Sequence, residues 1–411
     1  MKRNFVPLGK VVEIAGGYAF KSSLMSSEPK EFQIIKMSNL YQGSLDLSRN
    51  PSFWEKVDTK TERFLLQADD ILMTLTGTVG KRDYGYTVQL RDEEKLLLNQ
   101  RVCRIRPIHK KANGFYLFQY LRAQEFLNKF FDCSIGGTGN QSNVGISDLR
   151  ELDIYLPPIP EQKAIANLLS TWDEAIKKTN RLIQAKETSL KGEIQRIMSR
   201  EAIDANCWSM IHLGELFSEV TRKVGEKKLT PYSISAGTGF VSQREKWGKD
   251  ISGSQHKNYT HLKAGEFSYN KGNSKRYQQG CVYLLKGGEI CVPNVFISFK
   301  PKAKDVVPEF FEHYFIADYH ARELKRYISS GARSDGLLNL NKKDFFKIMV
   351  PCPSPDEQKA IAEALTVSQQ EIDLLKQLAD KYKTQKRGLM QKILTGEWRV
   401  KPEIVNQYME A

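Results

Sequence analysis

The sequence has no C-x-x-C pair: its six cysteines (Cys103, Cys133, Cys207, Cys281, Cys291 and Cys352) are scattered along the chain. That spacing offers neither a zinc site nor a disulfide framework, and it fits a reducing, cytoplasmic compartment. No stretch approaches the apolar length of a membrane span. The first residues, "MKRNFVPLGKVVEI", have no continuous apolar core of the signal-peptide kind. The usual catalytic signatures are also missing. No G-x-G-x-x-G follows a predicted strand, and there is no H-E-x-x-H. The histidines (His109, His212, His256, His261, His313 and His320) are dispersed.

Two short stretches imitate catalytic motifs and fail on their neighbours. "NPSF" at Asn50–Phe53 is close to an amino-methyltransferase loop, but Ser52 stands where a second proline belongs, and no cofactor loop accompanies it. "PDEQK" at Pro355–Lys359 compresses a nuclease pattern that needs separated carboxylates on a sheet. Here it opens a predicted helix, and an earlier copy of the segment has Pro160 in place of Asp356. No metal, no cofactor and no catalytic residue is therefore expected in this chain.

What the sequence does have is length, positive charge and a repeat. Its 411 residues exceed one core and favour two or three domains. With 40% hydrophobic and 27% charged residues it is an ordinary globular composition. A formal net charge of +14 points to a polyanionic partner, most often nucleic acid.

The repeat is clearest in two proline-led segments. "PEQKAIANLL" from Pro160 matches "DEQKAIAEAL" from Asp356, an offset of 196 residues. The match continues through Ile165 and Ile361, Leu169 and Leu365, Ile176 and Ile372, to Ile197 and Ile393. Prolines before each segment and acidic residues in the first turn mark helix starts. Apolar residues at Ile165, Leu168, Leu169, Trp172, Ile176, Leu182, Ile183, Leu190, Ile194 and Ile197 predict one apolar stripe. Ile361, Leu365, Ile372, Leu375, Leu378, Tyr382, Leu389 and Ile393 predict another. Weaker echoes lie outside the helices: "VPLGKV" with "IHLGEL", "ADDILMTLTGTVGKRDY" with "AGEFSYNKGNSKRYQQG", and "NQRVCRIRP" with "PNVFISFKP". The order is globular unit, helix, globular unit, helix.

Neither helix can bury its stripe alone, and packing one against the other is the simplest solution. If the two halves relate by a pseudo-twofold axis, the helices run antiparallel. A helix of roughly forty residues spans about 55–60 Å, longer than one turn of duplex DNA at about 34–36 Å. Such a pair would act as a ruler between two readers, and differing readers would read differing half-sites. The alternative is that each helix packs on its own domain.

Four stretches carry a family resemblance: "GGYAFKSSLM" leading to "FQIIKMSNLYQG", "ADDILMTLTGTVGK", "GGTGNQSNVGISDLRELDIYLPPIPEQKAIA" and "RGLMQKILTGEWRV". In order and over nearly the whole chain, they resemble the specificity subunit of type I restriction–modification systems. The resemblance implies an α+β architecture: two globular α/β target recognition domains in pseudo-twofold repeat, separated by two long helices packed as an antiparallel coiled coil. The expected boundaries are 1–156, 157–200, 201–350 and 351–411. It also implies a non-catalytic subunit that reads a split, asymmetric site in double-stranded DNA. Its partners would be two methyltransferase subunits and restriction subunits, and those partners alone would hold S-adenosylmethionine, ATP and Mg. A protein–protein adaptor and the specificity part of a modification-only system remain the alternatives.

Candidate DNA contacts cluster in loops. "TGTVGKRDYGY" offers Thr76, Thr78, Lys81, Arg82 and Tyr84, with glycines that let backbone N–H groups approach phosphates. It is not a nucleotide P-loop, because Gly77 and Gly80 stand too close and Arg82 follows the lysine. A plain hairpin turn is the competing reading. In the second unit, Asn270, Lys271, Asn273, Ser274, Lys275 and Arg276 keep the same donor chemistry. "GGTGNQSN" offers Thr138, Asn140, Gln141 and Asn143, since Asn and Gln pair bidentately with adenine. Its equivalent offers Arg333 and Ser334. Gln100 and Arg101, at the start of the apparent strand "RVCRIRP", and Asn294 complete the set.

Overall fold

The computed structural model describes residues 4–136, 140–272, 276–328 and 337–409. Two compact units divide it, Met1–Thr179 with Leu378–Ala411, and Asn180–Gln377. The division cuts through both long helices instead of following the serial order of segments, because each helix half packs with the globular part beside it.

The first unit is built on a four-stranded antiparallel sheet in the order Val12–Gly16, Val102–Pro107, Ile71–Thr74, Thr87–Gln89. All four residues of Ile71–Thr74 are buried, so both faces of this strand are covered. Successive side chains point to opposite faces. Ile71 and Met73 join Ile14, Cys103 and Ile105 beneath the helices Gly114–Leu121 and Gln124–Asp132. Leu72 joins Val88 and Val102 against Ile34, Ile35 and Leu96–Leu98. Those last segments pair in parallel, with Phe53–Trp54 on the other edge.

The second unit repeats the plan. Its sheet runs Phe217–Glu219, Ile297–Pro301, Phe267–Asn270, Cys281–Leu284. The sheet's core strands are aromatic where those of the first are aliphatic: Phe267 stacks on Phe299 at 5.1 Å, Phe217 and Phe315 meet both edge-on, and Phe311 meets Phe217 edge-on. Terminal pairs also recur, Phe5–Pro7 with Asp153–Tyr155 and Ser209–His212 with Met349–Cys352. The echoes seen in the sequence are thus the same strands of a repeated fold.

The long helices are Ile159–Ile197 and Pro355–Ile393. In the first unit they run antiparallel: Glu161 binds Arg399, and further along Asp173 binds Lys386, with the Trp172 ring edge-on to Tyr382 at 5.7 Å. In the second unit Lys186 reaches Glu371 at 2.8 Å and Lys376 reaches Glu187 at 2.7 Å.

One line of buried residues recurs at multiples of seven positions on each helix, beside further buried residues such as Ile165 and Ile194 on the first and Ala362 on the second. Gln162, Leu169, Ile183 and Leu190 are buried on the first helix, and Gln358, Leu365, Ile372, Ala379, Lys386 and Ile393 on the second. A 3.5-residue period is the coiled-coil seam. It differs from the broader stripe expected from sequence: Leu168, Leu182 and Leu378 are 38%, 45% and 38% exposed. Ala379 occupies the seam in place of Leu378.

Candidate nucleic-acid interface

In the first unit the strand Ile71–Thr74 leads through Leu75 into Thr76–Thr78. That segment pairs with Gln141–Asn143, Thr78 opposite Gln141 and Thr76 opposite Asn143. A third segment joins them, because the Leu75 N–H donates to the Arg101 carbonyl at 3.0 Å. Gln100 and Arg101 form a turn and not the start of a strand, with Arg101 at φ +70°, while Asn99 bridges to Tyr18. Three stretches distant in sequence therefore converge, and Lys81, Arg82, Gln100, Arg101, Asn140, Gln141 and Asn143 are all exposed there.

The loop's internal bonding removes several groups from the expected contact set. The Thr78 N–H and hydroxyl both donate to Asp83, at 2.7 and 2.8 Å. These bonds, the backbone one foremost, hold the Asp83 carboxyl below its usual range. The Thr76 hydroxyl donates to Asn143 Oδ1 at 2.9 Å. The N–H groups of Val79 and Lys81 go to the carbonyls of Asn140 and Thr78. With those of Thr78, Val79 and Lys81 engaged, the loop offers cations and amides more than backbone donors.

Tyr84 is a correction: it is 4% exposed, its ring packs on Phe131 at 4.9 Å, and its hydroxyl meets Ser142 at 2.9 Å. It holds the loop to the core and faces no solvent. Gly77 is required by the same packing, since a Cβ there would lie 2.4 Å from the Tyr84 ring. Arg82 sits over Phe131 at 5.2 Å, its guanidinium braced by the ring.

In the second unit Lys271 occupies the matching place. Its carbonyl accepts from the Leu338 N–H at 3.0 Å, and Gly272 bridges to Leu337. Asn270 is spent on the turn: its Oδ1 accepts from the Gly272 N–H, and its Nδ2 donates to the Ile234 carbonyl. Arg276 is exposed over Tyr277 at 5.3 Å. Asn294 is exposed and accepts from Lys223 at 3.2 Å. Thr138, Asn273, Ser274, Lys275, Arg333 and Ser334 lie outside the described residues.

Asp83 was missed in the sequence. A carboxylate inside a basic loop reads as a stray charge until the loop closes on it. The two motif imitations are structural: Ser52 Oγ accepts from Lys36 Nζ at 2.7 Å, and Pro355 opens a helix. Among the described residues no group of three or more His, Cys, Asp or Glu could hold a metal, and no helix is long and apolar enough to cross a membrane.

The first unit thus sets a buried sheet beneath a surface of cations and amides, and the second repeats its fold with Arg276 and Asn294 exposed. The type I restriction modification DNA specificity domain matches the chain twice, at residues 2–187 and 208–383. The chain belongs to that family, as a tandem of two such domains. It is similar to two proteins of Methanocaldococcus jannaschii. One, named for the MjaX type I restriction enzyme, is 26% identical over 321 residues, covering 75% of this chain and 73% of that one. The other, the MjaVIII specificity subunit, is 23% identical over 336 residues, covering 75% and 76%. The crystal structure of the type I restriction–modification S subunit from M. genitalium shares the fold, with a TM-score of 0.55 at 19% identity, over 95% of this chain and 96% of that one.

Proposed function

We propose that this chain is the specificity subunit of a type I restriction–modification complex. Each unit reads one half of a split, asymmetric target in duplex DNA. The observation that carries this reading is the convergence of three distant segments on one exposed surface bearing Lys81, Arg82, Arg101, Gln141 and Asn143. Cations on phosphates fix register, and amides on base edges in the major groove supply sequence. The two units differ in these side chains, so the half-sites differ.

Chemistry resides in partners: two methyltransferase subunits, which extrude the target base to reach its amino group, and restriction subunits. S-adenosylmethionine, ATP and Mg belong to those partners, and the complex works in the cytoplasm. The domain boundaries follow the order first recognition domain, central helix, second recognition domain, C-terminal helix. Selection from randomised duplex DNA, with the full chain co-purified with its methyltransferase, tests this. A split motif with a fixed unread gap is expected. Binding without any motif would leave a protein–protein adaptor as the better account.

A further inference from the structure

Outside the converging loops, each unit exposes an aromatic ring with a cation held against it and a reading loop beside it; Phe5 under Lys129 is a further exposed ring in the first unit, at 5.5 Å. In the first unit Tyr41 is 46% exposed, and the Arg49 guanidinium lies 4.2 Å from its ring centroid. In the second, Trp247 is 43% exposed with Lys246 Nζ 4.9 Å from its ring. An exposed aromatic normally costs solubility, and here each stands on a segment pinned from below by a buried amide.

Asn39, fully buried, donates through Nδ2 to the carbonyls of Asp46 and Arg49, both at 2.9 Å, and accepts from the Lys36 N–H. Gln243, 1% exposed, accepts from the Ile251 N–H at 3.1 Å and donates to Tyr259. The pinning fixes where the pairs point.

Both pairs adjoin the reading loops. Tyr41 meets Tyr86 at 6.0 Å, and Tyr86 is the residue where the 76–86 loop rejoins the sheet. The Asp83 charge acts on Tyr86 as well. In the second unit the Ile234 carbonyl accepts both from Asn270 Nδ2 at 3.2 Å and from Lys246 Nζ at 3.4 Å. The same hairpin carries Gly237 at φ +85°, where a Cβ would lie 2.8 Å from the Arg276 guanidinium.

We propose that Arg49 with Tyr41, and Lys246 with Trp247, contact the DNA backbone beside the bases read by each unit: the cation on a phosphate, the ring fixing the cation and covering the adjoining sugar. A ring face holds a cation without neutralising it, so the full charge stays available to the phosphate. Such contacts set register and affinity and carry no sequence information. This proposal rests on the DNA-reading function above.

The test is a salt titration of duplex binding by the full chain with its methyltransferase, comparing Arg49→Gln, Lys246→Gln and Lys81→Gln. Each phosphate contact releases counterions, so Arg49→Gln and Lys246→Gln should each flatten the slope of log K against log salt by about one. Binding to the target and to unrelated duplex should weaken in the same proportion, with an unchanged selected motif. Arg49→Lys should restore most of the slope, which separates charge from folding. An unaltered slope in both Gln variants, while Lys81→Gln flattens it, overturns the proposal and leaves the DNA-reading function standing. A changed motif would make the pairs base readers and overturn it too. No effect from any of the three would remove the DNA-reading function with it.

Discussion

The ammonium of Lys386 lies 2.6 Å from the carboxylate of Asp173, at a seam position where the preceding seventh residues are Ala379 and Ile372. Gln119, 1% exposed on the helix Gly114–Leu121, completes the group: it donates to Asp173 at 2.9 Å and accepts from Lys386 at 3.2 Å. Desolvation pulls the Lys386 pKa down, and the bond to Asp173 partly restores it. A single polar residue at a seam position fixes which register two helices adopt.

Lys386→Ala should therefore destabilise the first unit by about 1–3 kcal/mol, since Asp173 and Gln119 lose their partner. The pair Lys386→Met with Gln119→Leu should recover most of that loss, because both buried polar groups are then replaced by apolar ones while Asp173, 40% exposed, stays solvated. Urea unfolding of the three proteins measures this. A single variant as stable as the parent would show that the triad contributes nothing.

Tyr84 separates folding from reading. Tyr84→Phe removes the hydroxyl bonded to Ser142 and should cost about 0.5–1.5 kcal/mol. The selected DNA motif should stay the same. A shifted motif would place this ring in the groove after all.

Acid should weaken the second unit through His320. Burial pushes this imidazole from 6.5 down to about 3. The folded value is depressed, so the unfolded chain takes up a proton that the folded one refuses. His320 therefore leaves stability intact above pH 6.5 and subtracts from it as pH falls toward 3. Asp318 works oppositely, since burial raises it from 3.8 to about 6 and its contribution fades as pH rises through that value. His320→Leu isolates the first effect. Its stability relative to the parent should rise by up to about 1.4 kcal/mol per pH unit on acidification below 6.5. Equal pH dependence of the two urea midpoints would rule this out.

The heptad makes the proposed ruler adjustable in defined steps. Inserting seven residues into both long helices keeps the seam in phase and adds about 10.5 Å. The unread gap should grow by about three base pairs, with both half-sites unchanged. Motif selection with the lengthened protein reads this directly. An unchanged gap would mean that the helices do not set the spacing.

The repeat, the long helices and the basic loops were legible in the sequence because they are local patterns. Periodicity reveals a helix, and an offset of 196 residues reveals a copy. The fine register was not: distinguishing a 3.5 from a 3.6 period depends on whether Ala379 or Leu378 turns inward, which only the partner helix decides. The loops divide the same way. That Lys81 and Arg82 are exposed followed from their charge. That Thr78 is bound by Asp83, and Tyr84 by Ser142 fifty-eight positions later, did not, since nothing in either segment alone announces the other. Tyr41 and Trp247 were invisible for the converse reason: most aromatics are core, and exposure belongs to the fold.

The two copies of the helix start share one joint. Gln162 accepts the Asn113 N–H at 2.8 Å and donates to the Pro157 carbonyl at 2.7 Å. Gln358 accepts the Val307 N–H at 3.0 Å and donates to the Pro353 carbonyl at 2.9 Å. Apart from a long contact from Gln358 Nε2 to Cys352 Sγ at 3.8 Å, the partners in both joints are main-chain groups, so the clasp asks little of the side chains it holds. Asn113 and Val307 have no chemistry in common, yet each is gripped alike. A joint of this kind is indifferent to sequence drift on the far side of it. Either reader is free to change its specificity, residue by residue or wholesale, while the scaffold that carries it is inherited intact.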